Sequence, residues 1–597
     1  MKTTVSQYIA DFVAKLGTKR VYTVTGGGAM FLNDALGFHP GFATVCMHHE
    51  QSCAFAAEAD ARISGGIGVL HVTSGPGGTN AITGICGGWI DSIPMLAISG
   101  QASLPTTIGN SGLRQKGVQE ADIVSMVKPI TKYAVMVTAA DEIRYHMEKA
   151  AHLAVCGRPG PVWIDVPTDV SNFQIDPDGI PGYRPEPPVR PSLAPKVREC
   201  LALLEAAERP VLIPGYGVRL AGATQAFREL AEKLQMPIVP SWNASDIVGC
   251  DSPYHVGRAG IFGDRAGNFA VQNADLLVIV GSRMSIPQTG YNAQLFARGA
   301  KMIVVDIDPR EHEKPTLRPT VSVVGDAGDF LKALLAAGGN FRRNTKAGQW
   351  LAKCQDWRAR YPVVLDEYRR EPDKVNSYHF IERLSERLPD ESVVVTDMGT
   401  SFSCTMQTFA TKAGQRLFTS SGLAAMGFGL PGAIGACFAN GRRRTICLSG
   451  DGGLMFNLQE LQTVIHYKLP IVIFVLNNEG YLTMKHTQKN YFGRLIGSEP
   501  ASGVSCPDFV KVAAAFGIPG AHIRDRSELE SGIGAALAAE GPYVCEVHMP
   551  VMQALVPRVQ NKRAADGRIV PTPIEDLYPF LDREEFERQM IVPPVKV

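Results

Sequence analysis

The chain has 597 residues, a formal net charge of +1 and 20% charged residues. This balance argues against a polybasic nucleic-acid-binding or membrane-surface protein, and no apolar run reaches the ~20 residues of a membrane span. The twelve cysteines lack a CxxC pair or metal-ligand spacing, which is typical of reduced thiols. Residues 1–17 have the pattern of an amphipathic helix without a cleavage site. We therefore predict a cytoplasmic protein with no nucleic-acid or membrane partner.

The length of the chain predicts three or four domains. Two segments alternate apolar strands with helical stretches, and a third lies between them with strands that end in Gly or Asp. A proline-rich stretch separates the first two, because proline suits neither a helix interior nor a central strand. The predicted fold class is α/β, with three doubly wound parallel-sheet domains. The predicted units are domains at 1–172, 193–340 and 376–550, a linker at 176–195, a charged helical connector at 349–374, and a C-terminal tail at 551–597.

The third domain contains the most informative segment. An apolar strand at 445–449 runs into the turn Gly450-Asp451-Gly452-Gly453. Apolar residues then recur at helical spacing from Leu454 to Ile465, and a second β-branched strand follows at 471–476. Strand, helix and strand in this order predict a parallel βαβ unit. Ligands of such sheets bind beyond the carboxyl ends of the strands, where Asp451 and Asn478 both fall.

These residue types suit a magnesium-held diphosphate. Mg²⁺ prefers about six oxygen ligands, including carboxylates, carbonyls and phosphates. Asp451 offers a carboxylate, Asn478 an amide oxygen, and the backbone near Gly480 a carbonyl. The glycines of the turn let the backbone approach phosphate oxygens at a helix N-terminus. A tight turn followed by an Asn-rich loop is the alternative, and the strand signals on both sides favour the metal site over it.

This segment resembles the cofactor motif of thiamine diphosphate enzymes, GDG followed by about two dozen residues and then NN. The rest of the chain resembles the branch that contains acetohydroxyacid synthase, over nearly its whole length. The resemblance implies a pyrimidine-binding first domain, a Rossmann-like central domain and a diphosphate-binding third domain, with thiamine diphosphate and Mg²⁺ as cofactors. It also implies a homodimer or homotetramer with the active site between subunits. The matching pieces are Gly26-Gly27-Gly28-Ala29, His49-Glu50-Gln51, TSGPGGTN at 73–80, GRPGPVWIDVP at 157–167, VVDIDP at 304–309 and MGFGLPGAIGA at 426–436.

The resemblance assigns the main catalytic role to Glu50. In isolation, a glutamate at a predicted helix start is usually a surface residue that stabilises the helix dipole. In the family, a glutamate at this position binds the pyrimidine ring of the cofactor and assists its proton transfers. Met426 corresponds to the apolar residue that bends the cofactor, whereas Thr400 replaces the usual glutamine of its loop. The implied cofactor contacts are Gly26, Gly27, Glu50, Thr73, Pro76, Asn80, Thr400, Ser401, Ala424, Met426, Gly450, Gly452, Gly453, Tyr481 and Leu482.

The central domain leaves three alternatives open. Relatives hold FAD there, or ADP, or nothing. Two-glycine loops and aspartates at strand ends are weak signals in any α/β sheet. The segment SRMSIPQTGYN keeps one arginine of the flavin loop of acetohydroxyacid synthase and lacks the second arginine and both aspartates. The residues at positions that correspond to a flavin site are Gly215, Gly217, Arg283, Asp306 and Asp326.

The substrate pocket departs from both best-known branches. The loop after Gly109 lacks the His-His pair of pyruvate decarboxylases, and Val118 replaces a phenylalanine of acetohydroxyacid synthases. The sequence after the Asn pair is similar to acetolactate-synthase-like carboligases, some of which act on ketones or nucleotide-sugar ketones. We therefore expect a carboligase that decarboxylates a 2-oxo acid, pyruvate in the first instance. Its acyl carbanion passes to an aldehyde, ketone or 2-oxo acid acceptor, with Gln119, Tyr481 and His486 as candidates for positioning that acceptor.

Two alternatives to carboligation remain at this stage. One is a simple 2-oxo acid decarboxylase, or another thiamine diphosphate lyase without ligation. The other is a degenerate homologue that serves as a regulatory or binding protein. The absent His-His pair argues against the decarboxylase, and the intact Glu50, Asp451, Asn478 and Met426 argue against the degenerate homologue.

Overall fold

A computed structural model describes residues 2–187, 192–563 and 568–595; residues 188–191 of the predicted proline-rich linker lie outside these ranges. Three parallel β-sheets dominate the chain, which confirms the predicted fold class. Their inner strands are mostly apolar and buried on both faces, as expected where helices cover both sides of a parallel sheet; the edge strands β3, β6, β12 and β17 are more exposed. Within the described residues, no helix is both long and apolar enough to cross a membrane.

The first sheet has six parallel strands in the order β3-β2-β4-β5-β7-β6. Helices connect successive strands, and a small antiparallel pair, β1 with β8, lies apart from the sheet. The strands are β1 Thr3–Thr4, β2 Arg20–Val24, β3 Ala43–Cys46, β4 Gly68–Val72, β5 Met95–Gln101, β6 Tyr133–Met136, β7 Pro161–Pro167 and β8 Gln174–Ile175; the helices are α1 Val5–Lys15, α2 Met30–Gly37, α3 Glu50–Ser64, α4 Pro76–Asp91, α5 Ile123–Val127, α6 Ile143–Val155 and α7 Thr168–Ser171.

The central sheet has four parallel strands in the order β12-β11-β10-β9. Parallel bridges from Leu212 to Ile238 and from Ile238 to His255 extend this sheet beyond β9. The strands are β9 Pro210–Pro214, β10 Leu276–Val280, β11 Lys301–Asp306 and β12 Val321–Val324; the helices are α8 Ala194–Ala206, α9 Tyr216–Leu220, α10 Thr224–Leu234, α11 Arg265–Asn273, α12 Ile286–Thr289, α13 Pro309–Glu313 and α14 Ala327–Ala337.

The third sheet again has six parallel strands, in the order β14-β13-β15-β16-β18-β17. Two helices precede it in the connector, α15 Thr345–Arg360 and α16 Asp366–Arg369. The strands are β13 Val393–Thr396, β14 Arg416–Phe418, β15 Thr445–Gly450, β16 Ile471–Asn477, β17 Gly520–Ile523 and β18 Tyr543–His548; the helices are α17 Ser377–Arg387, α18 Thr400–Thr408, α19 Gly429–Ala439, α20 Asp451–Leu454, α21 Glu460–His466, α22 Leu482–Phe492, α23 Phe509–Ala515 and α24 Arg526–Ala538.

The prediction of one continuous helix from Leu454 to Ile465 is wrong. The structure has two short helices, α20 and α21, with turns at 455–459 between them. Asn457 lies in this interruption, and its buried side chain bonds to groups of both the first and third domains. An asparagine with such partners favours a turn over a helix interior.

The tail packs mainly on the central domain. Ile574 and Phe586 join an apolar core of that domain, and the side chain of Asn268 donates a hydrogen bond to the Ile574 carbonyl at 2.7 Å. Its first part also reaches the third domain, where the Gln553 carbonyl lies 2.7 Å from Nε2 of His486. The tail elements are β19 Asn561–Arg563, β20 Ile569–Pro571 and α25 Arg583–Gln589.

The first and third domains pack directly on each other through α3 and α19. Both helices are rich in Ala and Gly, and most of their residues are buried. A Cβ added at Gly435 would overlap the Ala56 backbone, and Gly84 of α4 is similarly close to Ala54. Glycine is thus required at Gly435, because only a missing side chain allows so close an approach of two backbones.

We expect Gly435→Ala to destabilise the protein by about 1–3 kcal/mol, the usual cost of overpacking a close-packed core. Thermal unfolding followed by circular dichroism measures the effect. Gly37→Ala is the matched control, since Gly37 also lies in a helix and has no neighbour within 4 Å of an added Cβ. Equal unfolding midpoints for the two variants would contradict the close helix contact.

Candidate active site

The two six-stranded sheets reverse their strand order at equivalent places. In the first sheet this point lies between β2 and β4, and in the third between β13 and β15. Open α/β sheets bind ligands in the crevice beyond the carboxyl ends of the strands at such a point. The segments that follow these four strands are 25–29, 73–75, 397–399 and 451–453. Three predicted motifs lie there: Gly26-Gly27-Gly28-Ala29, the start of TSGPGGTN, and the Asp451-Gly452-Gly453 turn. His49-Glu50-Gln51 follows β3 and Asn478 follows β16, whereas GRPGPVWIDVP includes β7 and VVDIDP includes the end of β11.

Glu50 lies at the start of α3, directly after β3. His49 caps the helix, with its Nδ1 accepting a hydrogen bond from the Gln51 backbone N–H at 3.0 Å. The Glu50 side chain is largely buried, and its Oε2 accepts a hydrogen bond from Asn80 Nδ2 at 2.9 Å. Asn80 lies in α4, so two predicted site residues meet here. A buried carboxylate held by a single amide can act on a bound ring nitrogen.

The loops after β2 and β4 form the floor beside Glu50. Side chains added at Gly26 or Gly28 would collide with Thr73 and Ser74, whereas Gly27 has no neighbour within 4 Å of an added Cβ. Thr73 Oγ1 is buried and lacks a hydrogen-bond partner among the described residues. Such an orphaned hydroxyl indicates a missing ligand or water.

Gln119 comes close to the same floor. Its backbone carbonyl lies against Gly75, which has φ +58° just before Pro76 begins α4. Gln119 itself has φ +58° and is exposed. A non-glycine residue in the left-handed region is uncommon and clusters at functional sites. The structure thus brings Gln119 and Pro76 to the Thr73 loop.

Backbone N–H groups that follow β15 and β16 hold the Asp451 carboxylate. Its Oδ1 accepts from the Gly452 N–H at 2.7 Å, and its Oδ2 accepts from the N–H groups of Asn478 at 3.2 Å and Gly480 at 2.8 Å. Burial raises the pKa of Asp451 to about 6, against the effect of these hydrogen bonds. A carboxylate offers about four lone-pair positions, so three donors leave it able to ligate a cation.

Asn478 completes the arrangement expected of a magnesium site. Its side-chain Oδ1 is buried and has no partner among the described residues. A buried amide oxygen without a donor is costly unless a ligand satisfies it. With the Asp451 carboxylate beside it, this oxygen could serve as a ligand of a hard cation such as Mg²⁺. Gly450 has no neighbour within 4 Å of an added Cβ, whereas one added at Gly453 would meet Asp397.

Lys485 is a site residue that the sequence reasoning missed. It lies in α22, is fully buried, and donates from Nζ to the Asn478 backbone carbonyl at 2.8 Å. Burial lowers the pKa of Lys485, and the charge of Asp451 opposes this shift. The ammonium holds the Asn478 backbone in place behind the metal ligands. Neither a motif nor a periodicity distinguishes this lysine from the exposed Lys489 in the same helix.

Asp397 and Asn457 fix the loop that contains Met426. Asp397 is fully buried and accepts two hydrogen bonds from the Gly427 N–H, at 3.0 and 3.2 Å. Asn457 donates from Nδ2 to the Gly427 carbonyl at 2.9 Å and to Gln51 Oε1 at 3.1 Å. The residue after Glu50 is therefore tied to the residue after Met426. The sequence reasoning missed this bridge, since a lone Asn in an expected helix gives no signal.

The other predicted cofactor contacts differ in burial and in backbone conformation. Ala424 is exposed with φ +61°, so its backbone is held in an unusual conformation beside Met426. Thr400 and Ser401 are buried at the N-terminus of α18, where free N–H groups favour an anion. Ser401 Oγ donates to the Asp397 carbonyl at 3.2 Å.

Tyr481 and Leu482 begin α22 in different environments. The Tyr481 ring lies against Gly452, where a Cβ would overlap it. Leu482 is buried within the apolar core of the third domain. Its side chain therefore points away from the loop, and contact with a diphosphate would come from its backbone.

The central domain has a separate cleft of about 1120 Å³, open solvent at its mouth included. Gly217, Arg283, Asp306 and Asp326 line it. Gly215 lies beside it, and its N–H donates to the Val280 carbonyl at 2.8 Å. The Arg283 guanidinium lies 3.6 Å from Asp91 Oδ1 of the first domain. Asp326 caps α14 by accepting from the Gly328 and Asp329 N–H groups, so it already has partners.

Comparisons with known proteins show the family of the chain. Three models of the thiamine pyrophosphate enzyme family match the chain: the N-terminal TPP binding domain at residues 3–126, the central domain at 197–334 and the C-terminal TPP binding domain at 397–547. The chain belongs to this family and is an acetolactate-synthase-like enzyme that forms carbon–carbon bonds. The resemblance inferred from the sequence is confirmed.

The relatives match over nearly their full lengths. The chain is 34% identical to the acetolactate synthase isozyme 2 large subunit of Escherichia coli, over 559 residues that cover 93% of this chain and 97% of the relative. It is 33% identical to the probable acetolactate synthase large subunit of Methanocaldococcus jannaschii, with 90% of each chain covered. It is 31% identical to the chloroplastic acetolactate synthase 2 of Zea mays, with 95% and 89% covered.

Replacing Lys485 tests the support of the metal loop. We expect Lys485→Met to weaken Mg²⁺ and thiamine diphosphate binding about 10–100-fold, the usual effect of losing a group that orients a metal ligand. Calorimetric titration of both variants measures this, with Lys489→Met as the exposed control on the same helix. Affinities equal to those of the control would contradict the role given to Lys485.

Proposed function

We propose that the protein is a thiamine diphosphate- and Mg²⁺-dependent carboligase. It decarboxylates a small 2-oxo acid, pyruvate in the first instance, and transfers the acyl unit to an aldehyde, ketone or 2-oxo acid. The observation that carries the proposal is the buried pair of Asp451 and the unpartnered Asn478 Oδ1, at the strand-order reversal of an acetolactate-synthase-like chain. The names of the relatives support pyruvate as donor.

We propose a separate role for each of the following residues. Asp451, Asn478 and the Gly480 backbone would hold Mg²⁺, and the N-termini of α18 and α20 would offer free N–H groups to the diphosphate. Glu50 would hold a proton at the pyrimidine ring, and Met426 would pack against the rings of the cofactor. The bound cofactor supplies the electron sink that makes decarboxylation possible.

Three residues are candidates for binding the acceptor. Gln119 is exposed beside the Thr73 loop and free to contact a bound acceptor. His486 has one ring nitrogen engaged by the Gln553 carbonyl, which fixes the ring and leaves the other nitrogen for a ligand. Tyr481 packs on Gly452. We propose Gln119 as the first residue to contact the acceptor and His486 as a positioning residue.

We propose that the active form is a homodimer or homotetramer with the active site between subunits. Asn80 and Ala424 are predicted cofactor contacts, yet both are exposed in the single chain. Large apolar side chains near the site loops are exposed as well, including Met30 and Phe456, each 51% exposed. Exposed apolar surface of this kind is typical of an interface. The twelve free thiols support a reducing compartment, and we propose the cytoplasm.

We propose that the central cleft binds FAD, with ADP as the alternative ligand. With the bridges at Ile238 and His255, the central sheet has the parallel order β12-β11-β10-β9-238-255. Numbered by their order in the chain, these six strands lie in the order 6-5-4-1-2-3. This is the strand order of dinucleotide-binding sheets, whose crevice lies between the strands that correspond to β9 and β10. Gly217 follows β9 and Gly281 follows β10. Both line the cleft, and their backbones are in contact.

Product analysis tests the proposed reaction. We expect incubation with thiamine diphosphate, Mg²⁺ and pyruvate to release carbon dioxide and yield acetolactate or an acyloin, depending on the acceptor supplied. Mass spectrometry of the products with and without aldehyde and ketone acceptors identifies the acceptor class. Acetaldehyde as the sole product would favour the decarboxylase alternative, and no carbon dioxide would exclude pyruvate as donor.

Replacing Glu50 tests the proton role. We expect Glu50→Gln to lower turnover about 100-fold or more, the usual contribution of a positioned acid–base group. Binding of the cofactor through its diphosphate is expected to persist, because the substitution leaves Asp451 and Asn478 unchanged. Glu391→Gln, on the exposed surface, is the control. Near-normal turnover in the Glu50 variant would exclude this role.

Flavin binding tests the central cleft. We expect the protein to quench FAD fluorescence on titration, and ADP to compete, because both ligands share the adenosyl half. Asp306→Ala removes a buried carboxylate from the cleft and is expected to weaken binding about tenfold, equivalent to about 1.4 kcal/mol. Asp390→Ala, exposed in the third domain, is the control. Failure of both FAD and ADP to bind would contradict the proposal.

A further inference from the structure

A second cavity lies between the central domain, the connector and the third domain. It measures about 810 Å³, open solvent at its mouth included. Cys250, His255 and Arg258 of the central domain line it, together with Arg358 of the connector and Phe409 of the third domain. None of these residues belongs to the thiamine or flavin sites described above, and the cavity has no role in the proposed reaction.

The Cys250 thiol faces three polar side chains in this cavity. Its Sγ lies 3.8 Å from His255 Nε2, 3.5 Å from Arg258 Nη2 and 3.4 Å from Thr411 Oγ1. Both His255 and Arg258 are 4% exposed. Each also has a buried nitrogen without a partner among the described residues, Nδ1 of His255 and Nε of Arg258. Unpartnered buried donors in a cavity wall indicate that this site takes a ligand or a charged group.

Charge balance indicates the state of the thiol. The Arg258 guanidinium donates to the carbonyls of Met406 at 2.8 Å and Phe409 at 2.6 Å. Within the described ranges, no carboxylate lies within 4 Å of it as an ion-pair partner. Asp264 accepts backbone N–H groups of Arg258 and Gly267. A buried cation needs a counter-charge, and the Cys250 thiolate is the anion in direct contact.

The electrostatics agree with this geometry. Burial alone would raise the pKa of the Cys250 thiol. The charges of His255 and Arg258, with hydrogen bonds to His255 and Thr411, outweigh burial and hold that pKa well below its ordinary value. The other charged groups around the cavity are Asp264, Arg358, Arg369 and Glu382. A thiolate in a partly exposed, electropositive environment is the reactive form of cysteine.

We propose that Cys250 is a modification site, a thiolate that reacts with small electrophiles and with peroxides that enter this cavity. With a peroxide, the sulfur attacks one oxygen and an S–O bond forms while the O–O bond breaks. Hydroxide, or the alkoxide of an organic peroxide, leaves, and the cysteine becomes a sulfenic acid. The sulfur loses two electrons and the peroxide gains them.

Modification would act on the contact between domains. A neutral sulfenic acid or alkylated sulfur no longer balances Arg258, which bonds to two carbonyls of the third domain. The central and third domains would then share an unbalanced buried charge. The proposal is independent of the proposed carboligation, because its readouts are chemical modification and stability.

Alkylation of the native protein at pH 6 tests the proposal. A free cysteine has a pKa of about 8.5 and is almost wholly protonated at that pH. We expect iodoacetamide to label Cys250 at least about tenfold faster than the exposed Cys46 and Cys156, as read by peptide mass spectrometry. Hydrogen peroxide followed by dimedone is expected to trap a sulfenic acid at Cys250 ahead of those two thiols.

A matched variant separates the charge from simple accessibility. His255→Asn removes the imidazole and keeps a polar side chain, so we expect the Cys250 rate at pH 6 to fall about tenfold. The buried Cys447 and Cys545 stay unlabelled as long as the fold is retained, and the exposed Cys46 and Cys156 show that the reagent is active. The proposal is overturned if Cys250 reacts no faster than those thiols with both reagents, or if its rate is unchanged in the variant.

Discussion

The contact between α3 and α19 positions much of the candidate site. Glu50 is the first residue of α3, and Met426 lies just before α19. The two helices approach so closely that Gly435 has no room for a Cβ against the Ala56 backbone. Because close-packed backbones leave little freedom to slide, this contact fixes the starts of both helices relative to each other. Asn457 reinforces it by bonding to the residues that follow Glu50 and Met426.

The metal loop relies on a different principle, the satisfaction of a buried carboxylate by backbone. Asp451 receives three N–H groups from its own turn and from the loop after β16. The two bonds from the loop after β16 tie the end of one strand to the end of its neighbour. Lys485 adds a buried ammonium on the Asn478 carbonyl, so positive charge supports this loop from behind. The unpartnered Asn478 Oδ1 is then the group left for a cation.

Much of this could be predicted from the sequence, because the informative residues are local. Asp451 and Asn478 follow apolar strands whose ends meet at one edge of a sheet, and that geometry follows from strand pairing alone. Lys485, Asp397 and Asn457 act through contacts that the sequence does not express. The same limit explains the error at 455–459, where helical periodicity favoured one long helix and the tertiary partners of Asn457 break it. The Cys250 environment combines two domains and the connector between them, and it has no sequence pattern.

The first and third sheets share one strand order. When the six strands of each sheet are numbered by their order in the chain, they lie in the order 2-1-3-4-6-5. Their equivalent strands are followed by equivalent segments: Glu50 and Met426 come after β3 and β14, and Thr73 and Asp451 come after β4 and β15. Two domains with so specific an arrangement are most simply explained by duplication of one ancestral domain. On that account both halves began with the same crevice at the strand-order reversal, and they now present different side chains near it: Glu50 with Asn80 in one copy, and Asp451 with Asn478 in the other.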